Sequence, residues 1–304
     1  MCKPAVNNGQ SNRLGQPEPT DKKWNLVDNV LNIVAIREHL LELNPEQETK
    51  IEQPYEDNHL IETIRRNSNL NAYEQERINE ICNNLTCIFE DETTIKHVYY
   101  ARNIVEAFRQ PEPFIRKVIK FCKSIDGYRL LNSNDQFIIL KQYCPEIFMI
   151  HFSFIYDVEK DGFVFYEDGD HENSIGRFIS YNLGRNWKNE ELIQINRNFT
   201  IELKHEFEND KTIRDLLKAQ MLFQSRDMLS RPEFIRYHYI RYAQLLIRYL
   251  EHKYQNMRRA RKKYSQLMRL MYRTNEIANN NRILMSELDI NLIPHIFAEI
   301  YNLN

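Results

Sequence analysis

The residues of this chain that could do chemistry are charged side chains that lack the neighbours a catalytic centre needs. The 304 residues contain no G-x-S-x-G, no H-E-x-x-H, no phosphate-binding loop and no dinucleotide glycine fingerprint. Nine histidines are scattered without ligand spacing, and the five cysteines include no Cys-x-x-Cys pair. We therefore expect no enzymatic activity, no metal site and no cofactor, and we interpret Cys82 and Cys87 as core thiols.

Two lysines and one glutamate have the chemistry to hold a peptide helix by its ends. A helix has unpaired N–H groups and partial positive charge at its start, and unpaired C=O groups and partial negative charge at its end. A groove with a carboxylate on one rim and an ammonium on the other therefore grips a short helix, whose apolar side chains enter the floor. The candidates are Lys123, Lys141 and Glu299, each of which would, taken alone, be an ordinary solvated charge.

The elements that would position the two lysines meet within residues 121–141. Apolar residues recur at helical spacing as far as Ile125, and Gly127 marks a break because glycine accepts backbone angles closed to other residues. Residues 133–136, Ser-Asn-Asp-Gln, fit a capping box that opens a second helix. Residues 137–154 are apolar nearly all round, which is typical of a helix buried inside a layered domain.

In their order, these residues resemble the ligand-binding-domain signature of nuclear receptors: F-x-K-x-I-x-G-Y-x-x-L-x-S-x-D-Q-F-x-x-L-K. The runs Y-E-Q-E-R-I at 73–78, L-F-Q-S-R-D-M-L-S-R-P-E at 222–233 and P-H-I-F-A-E-I-Y at 294–301 resemble the same family, within it the vitamin D receptor-like group with its arthropod members. The resemblance covers about residues 72–304. It implies an all-α fold, a three-layer antiparallel sandwich of about 11–12 helices with a small β-hairpin.

The resemblance implies that Lys123, Lys141 and Glu299 form the charge clamp with which nuclear receptors bind the L-x-x-L-L helix of coactivators. Glu299 would belong to an activation helix at 294–302. A ligand in the interior would stabilise that helix against the body of the domain, which is a population shift. The implied floor and edges of the groove are Ile119, Gln136, Phe137, Leu140 and Ile296.

Nuclear receptors also bind apolar small molecules between their third, fifth and eleventh helices, in a pocket with few polar anchors. His151 stands where the vitamin D receptor has an arginine anchor, and Ile277 stands where the family has a histidine. These departures argue against vitamin D itself and favour a less polar ligand. A hydrogen-bonded core histidine and an aromatic-filled interior are the alternatives. The implied lining residues are Phe114, Met149, His151, Ile155 and Ile277.

A basic run and the helix that follows it suggest two kinds of partner. Residues 258–263, R-R-A-R-K-K, can bind nucleic acid or act as a nuclear import signal, but on a helix such charges also form a solvated face. Residues 263–279 resemble the helix through which this group pairs with the retinoid X receptor. The side chains with the spacing of one buried face, and hence the implied dimer interface, are Tyr264, Leu267, Met268 and Met271.

Composition limits the other classes of partner. With 41 basic and 43 acidic residues the net charge is −2, which implies no global attraction to nucleic acid or membranes. No apolar run is long enough to span a bilayer, and the scattered cysteines favour a reducing compartment. The resemblance implies a nuclear location. Because no zinc DNA-binding domain is encoded, we expect no DNA contact by this chain, which would be a fragment, an isoform or a divergent member.

We expect an N-terminal or hinge region over residues 1–71, partly disordered, and a ligand-binding domain over residues 72–304. A possible amphipathic helix at 24–43 either docks on a partner or rests on its own domain. A second capping box, at 230–233, opens a long helix, and a strand is expected at 162–166. The other expected helices lie at 72–89, 94–109, 114–129, 175–187, 190–207, 212–223 and 258–279. The function would be ligand-dependent control of transcription, or alternatively ligand-independent interaction through heterodimerisation.

Overall fold

The computed structural model describes residues 69–89, 97–103, 106–107, 111–167, 175–184, 189–224, 229–289, 291, 295–301 and 303. Within these residues the chain is mostly helical with one small sheet, so the expectation of a mainly α fold is confirmed. The nine α-helices described are α1 (Ala72–Phe89), α2 (Pro111–Ser124), α3 (Asp126–Arg129), α4 (Ser133–Ile155), α5 (Glu190–Phe207), α6 (Lys211–Leu222), α7 (Pro232–Tyr254), α8 (Met257–Ser286) and α9 (His295–Tyr301). The strands are β1 (His97–Tyr100), β2 (Gly162–Glu167) and β3 (Ile175–Ser180), and a 3-10 helix covers Tyr181–Gly184. The helix expected at 24–43 lies outside the described residues.

Two helices, α4 and α6, form the centre of the fold. Residues 143–153 of α4 and residues 213–223, which cover most of α6, are all buried, as the apolar pattern at 137–154 led us to expect for α4. Helix α4 packs against α2, α5, α6, α8 and α9, whereas α6 packs against α1, α4, α5 and α7. Helix α8 lies against α4, α5 and α7. The exposed side of α4 therefore rests on a closely packed interior.

Helix α1 is fixed to α7 by a buried ion pair. Asn71 Oδ1 accepts the Glu74 N–H at 2.7 Å, and Glu74 Oε2 accepts the Asn71 N–H at 2.9 Å, which is a capping box that the sequence analysis missed. Arg248 donates from Nε to Glu74 Oε1 at 2.9 Å and from Nη1 to Glu251 Oε2 at 2.9 Å. All three charged side chains are buried, and pairing is what makes buried charges tolerable.

The corner between α2 and α4 differs from the prediction. The break falls at Ile125, which has extended backbone angles of −91° and 117°, and Gly127 lies inside the short helix α3. No described glycine has a positive φ, so conformational freedom does not explain this glycine. A Cβ at Gly127 would lie 2.6 Å from the ring of His238. The glycine is therefore required by the close approach of α3 to α7.

Both predicted capping boxes are wrong. The N-cap of α4 is Asn132, whose Oδ1 accepts the Asp135 N–H at 2.9 Å. The N-cap of α7 is Arg231, which makes no side-chain capping bond, although the expected proline does occupy the first turn. Ser230 instead donates from its hydroxyl to Asp135 and accepts from Asn132 Nδ2 at 2.7 Å. Long-range contacts between the two helix starts have replaced the local capping pattern.

The sheet has the order β1-β3-β2. Strands β2 and β3 pair antiparallel, with Gly162 opposite Ser180, so the expected hairpin is confirmed. A Cβ at Gly162 would lie 2.3 Å from the carbonyl oxygen of Ile179, which explains the glycine. Strand β1 pairs parallel with β3. The helices expected at 94–109 and 175–187 are therefore wrong at residues 97–100 and 175–180, where pairing across the sheet satisfies the backbone instead.

The remaining helix boundaries agree closely with the sequence pattern. The helices expected at 72–89, 190–207 and 212–223, and the one from the capping signal to about Tyr254, are confirmed to within two residues. The helix expected at 114–129 is divided into α2 and α3, and the helix expected at 258–279 continues to Ser286.

Candidate functional site

Helices α2, α4 and α9 contact one another. Helix α9 packs against both α2 and α4 and buries the side chains of Ala298, Ile300 and Tyr301. Glu299 of α9 is half-buried, Lys123 lies in the last turn of α2, and Lys141 lies in the third turn of α4. The three charges predicted for the clamp thus belong to three helices in mutual contact. We call this surface the α2/α4/α9 groove and define it by Ile119, Lys123, Phe137, Leu140, Lys141 and Glu299.

The groove offers apolar area between its charges. Ile119 and Leu140 are half-buried, and Phe137 is 47% exposed. Lys141 Nζ lies 5.8 Å from the centre of the Phe137 ring. The side chain of Ile296 lies outside the described residues. An exposed ring flanked by half-buried aliphatic side chains is area that a partner helix can cover.

The rim charges have no ion-pair partner in the described part of the chain. Among the residues that the structure describes, Lys123, Lys141 and Glu299 form no ion pair. They can therefore interact with the ends of a bound helix, each exposed contact being worth about 0.3–1 kcal/mol. Most of the binding free energy would have to come from apolar side chains in the groove.

Gln136 precedes Phe137 on α4, and its side chain bonds to the corner between α2 and α4. Its Nε2 donates to the carbonyl oxygens of Tyr128 at 3.1 Å and Leu131 at 3.0 Å. The Tyr128 hydroxyl in return donates to the Gln136 carbonyl oxygen at 2.8 Å. These bonds give the Leu131 carbonyl oxygen a donor and add a second donor to the Tyr128 carbonyl oxygen, which also accepts the Leu131 N–H at 3.2 Å. Gln136 is thus a half-buried residue that fixes the corner next to the groove.

Arg282 of α8 is a residue of this site that the sequence analysis missed. Its Nε donates to the carbonyl oxygen of Tyr301, at the end of α9, at 2.7 Å. The Leu303 N–H donates to the Ala298 carbonyl oxygen at 2.9 Å. The last carbonyl groups of a helix have no partner inside it, and a cation there also complements the helix dipole. Nothing in the local sequence signals this role, because the contact joins residues 19 positions apart.

The predicted ligand region contains a cluster of aromatic rings. Phe114 of α2 lies with its ring centre 4.3 Å from Phe148, 5.0 Å from His151 and 5.0 Å from Phe152. Phe152 stacks on Phe163 of β2 at 4.8 Å. We call these five residues the ring cluster. Their separations are those of directly contacting aromatic pairs. Phe114 and His151 were predicted to line a pocket. The structure brings them together, but their rings contact each other directly.

His151 is a hydrogen-bonded core residue. Its Nδ1 lies 3.0 Å from Lys218 Nζ, and both side chains are completely buried. The lysine nitrogen can donate to Nδ1 when the imidazole carries its proton on Nε2. Lys218 was not predicted. Its segment, residues 213–223, also contains Arg214, Asp215 and Gln220, so a lysine there carries no distinct sequence signal.

The remaining predicted pocket residues lie along α4 and α8. Met149 is buried, and its Sδ accepts from Asn281 Nδ2 of α8 at 3.4 Å. Ile277, about one turn earlier on α8, is also buried. Ile155 is half-buried in the last turn of α4. Met149 and Ile277 therefore belong to two helices that pack against each other.

The predicted dimer residues lie in the core, so their assignment to an interface is wrong. The side chains concerned are all buried: Tyr264, Leu267, Met268 and Met271. The Tyr264 hydroxyl accepts from Gln220 Nε2 at 2.9 Å, and Met268 Sδ accepts from Tyr239 at 3.7 Å. An apolar stripe at helical spacing identifies a buried face, but the spacing does not tell whether the same chain or a partner buries it.

Other chemistry receives no support from the described part of the chain. It contains no group of three side chains suited to a metal ion, and none of its helices is long and apolar enough to cross a membrane. Burial raises the pKa of the Cys82 thiol to about 11, so this thiol is protonated at neutral pH. The side chain of Cys87 lies outside the described residues. No family model matches the chain, and no curated protein matches it.

Proposed function

We propose that this chain is a ligand-binding domain of the nuclear receptor type, within the vitamin D receptor-like group, that controls transcription in the nucleus. It would do so by binding L-x-x-L-L helices of coactivators or corepressors in the α2/α4/α9 groove. The observation that carries the proposal is that Lys123, Lys141 and Glu299 belong to three helices, α2, α4 and α9, that contact one another. One of these helices, α4, also exposes the ring of Phe137. The three-layer helical sandwich is part of the same proposal.

A peptide helix would lie between the two kinds of rim charge. Its first turn, with unpaired N–H groups, would face Glu299, and its last turn would face Lys123 and Lys141. Its leucine side chains would cover Phe137 and its neighbours. Burying apolar surface contributes about 25 cal/mol per Å², so two or three leucines outweigh the end contacts. The charges would then fix the direction of the peptide more than its affinity.

The ligand-independent alternative has an observation in its favour. The ring cluster fills the region expected to hold a small molecule with the chain's own side chains, and Arg282 donates to the end of α9. An apolar ligand would need to move these rings before it could occupy the same space. A retinoid X receptor-type partner also remains part of the proposal, but its contact surface would differ from the four core residues of α8.

The test is fluorescence anisotropy with a labelled L-x-x-L-L peptide and the full chain. We expect Glu299→Ala and Lys141→Ala each to weaken binding about two- to five-fold. The control variants Glu191→Ala and Lys211→Ala remove exposed charges elsewhere and should bind as the wild type does. A peptide with L-x-x-A-A should not bind, because the apolar contacts are lost.

The same assay with and without a lipophilic extract separates the two candidate functions. Affinity that rises with extract supports a ligand-gated receptor domain, whereas unchanged affinity supports the ligand-independent module. The groove proposal is wrong if the wild type does not bind the peptide, or if the clamp variants bind as well as the two controls.

A further inference from the structure

Helix α8 has a higher density of positive charge than the chain as a whole. Residues 257–273 contain seven lysines and arginines, and the first acidic residue of the helix is Glu276. The structure divides these seven cations into a set that is used inside the protein and a set that is not.

The first set fastens α8 to its own domain. Lys263 Nζ lies 2.7 Å from Glu206 Oε2 and 2.9 Å from Glu208 Oε1, and Arg273 forms an ion pair with Glu202. The guanidinium of Arg259 lies 4.4 Å from the centre of the Tyr254 ring. These cations have internal partners and need no external ligand to explain them.

The second set, which we call the basic row, consists of Arg258, Arg261, Lys262 and Arg269. All four are exposed, and none forms an ion pair with any residue that the structure describes. Arg258, Lys262 and Arg269 recur at intervals of four and seven, which places them on one line along the helix. That line covers about 16 Å at about 1.5 Å per residue.

This arrangement is unfavourable for the isolated chain. Like charges four residues apart, such as Arg258 and Lys262, destabilise a helix by about 0.2–0.5 kcal/mol per pair. Cations in the first turns of a helix are also disfavoured by its dipole. An ordinary solvated face mixes both signs of charge, as α1 does with Arg77 and Glu80, which form an ion pair at 2.7 Å. A row of one sign that is kept at a cost to stability indicates an anionic partner outside the chain.

We propose that the basic row binds the phosphate backbone of a nucleic acid, without reading its sequence. Three of its four residues are arginines, whose planar guanidinium groups pair bidentately with phosphate oxygens. The length of the row equals the rise of about five nucleotides of one strand, at about 3.4 Å each. A membrane surface fits less well, because the exposed large apolar side chains that the structure describes beside the row are limited to Met257 and Tyr272, whereas insertion would need a continuous apolar face. The inference does not depend on the groove, and it replaces the expectation of no DNA contact.

The test is a titration of a fluorescein-labelled DNA duplex of about 20 base pairs and arbitrary sequence with the full chain at several salt concentrations. Four phosphate contacts predict a slope of log K against log[salt] near −3.6, or about a 150-fold loss of affinity between about 50 and 200 mM salt. The variant Arg258→Gln/Arg261→Gln/Lys262→Gln/Arg269→Gln should bind at least about tenfold more weakly, with a slope close to zero.

The matched control removes the same total charge from exposed positions elsewhere, in the variant Lys120→Gln/Arg129→Gln/Lys160→Gln/Lys211→Gln. It should keep the wild-type slope, and thermal melts should show both variants folded. The proposal is overturned if the control loses as much affinity as the row variant, or if the wild type does not bind the duplex at about 50 mM salt. It is also overturned if the row binds polyglutamate or phosphatidylserine vesicles more tightly than the duplex, which would identify an acidic protein or a membrane as the partner.

Discussion

The ring cluster and the α2/α4/α9 groove are built on the same two helices, α2 and α4, but they leave their side chains in opposite states. In the cluster, aromatic rings contact one another at centre distances of 4.3–5.3 Å, and His151 is hydrogen-bonded to Lys218. In the groove, Phe137 is 47% exposed, and the rim charges form no ion pair among the described residues. In the described part of the chain the rings of the cluster cover one another, whereas the ring of Phe137 remains exposed.

This difference indicates what positions α9. The helix lies against α2 and α4, and its last carbonyl group accepts a hydrogen bond from Arg282. These contacts stabilise α9 in this position. A small molecule would then change the binding of a peptide only if it favoured one position of α9 over another. Three experiments test these two regions and the helices that support them.

The largest effect should come from removing a ring of the cluster. Phe152 is 6% exposed and contacts four other rings, so Phe152→Ala should lower the free energy of unfolding by about 3–5 kcal/mol. Phe137→Ala in the groove should lower it by less than about 1 kcal/mol, because that ring is largely in water already. Urea denaturation followed by circular dichroism measures both. If both variants lost the same free energy of unfolding, the distinction between the buried ring cluster and the exposed groove would be contradicted.

The two regions also differ in how far the sequence predicted them. Periodicity predicted the helices that carry Lys123 and Lys141, whereas the clamp itself stays a prediction. Periodicity acts through the local chain, where the spacing of side chains along a helix decides the outcome. The same reasoning failed at Gln136 and Ser230, which have the composition of capping residues but bond to α3 and to the start of α4. Tertiary contacts there outweighed the local preference.

Other features had no local signal at all. Strand β3 pairs with a strand on each side. Its segment was predicted to be helical, because the sequence of the segment itself does not show these pairing partners. Tyr264 and Met268 showed a buried face, but only packing reveals that α6 and α7 supply their neighbours. Lys218 and Arg282 act through contacts over 67 and 19 residues of sequence. These failures share one cause, which is that the partner lies far away along the chain.

A pH experiment tests the support of the groove without changing the ring cluster. His238 lies beneath α3, with its ring centre 4.9 Å from Phe223, and burial together with the charges of Arg241 and Arg77 lowers its pKa from 6.5 to about 3. Because the folded pKa lies below the unfolded one, the stability that depends on neutral His238 is complete above pH 6.5 and falls as the pH decreases towards 3. At pH 5 the loss should be about 2 kcal/mol.

The measurement is urea unfolding at pH 7 and pH 5. The wild type should lose stability over this interval, and His238→Asn should lose about 2 kcal/mol less, because asparagine does not titrate. The exposed His252 lies on the same helix, so His252→Asn is the control and should behave as the wild type does. If all three proteins show the same dependence on pH, His238 is not the group that titrates.

Removing Arg282 should have the smallest effect on stability, and it tests directly what holds α9 in place. Arg282→Ala removes a charge-assisted hydrogen bond to the Tyr301 carbonyl oxygen, and such bonds contribute about 1.5–3 kcal/mol. Because Arg282 is half-buried, we expect the lower end, which is about a tenfold loss of affinity for an L-x-x-L-L peptide. Amide exchange over residues 295–301 should accelerate, while global unfolding by urea should change little.

Two further variants separate the hydrogen bond from a general loss of charge. Arg282→Lys should recover part of the affinity, because an ammonium can also donate to the Tyr301 carbonyl oxygen. Arg269→Ala removes an exposed arginine from the same helix and should leave amide exchange in α9 unchanged.

If a lipophilic extract restores peptide binding to Arg282→Ala, ligand and arginine act on the same equilibrium of α9, and the ring cluster must open to admit the ligand. If extract has no effect and exchange in α9 accelerates as expected, the chain's own contacts set that equilibrium. Unchanged exchange would mean that α9 is held by its packing on α2 and α4 without help from Arg282.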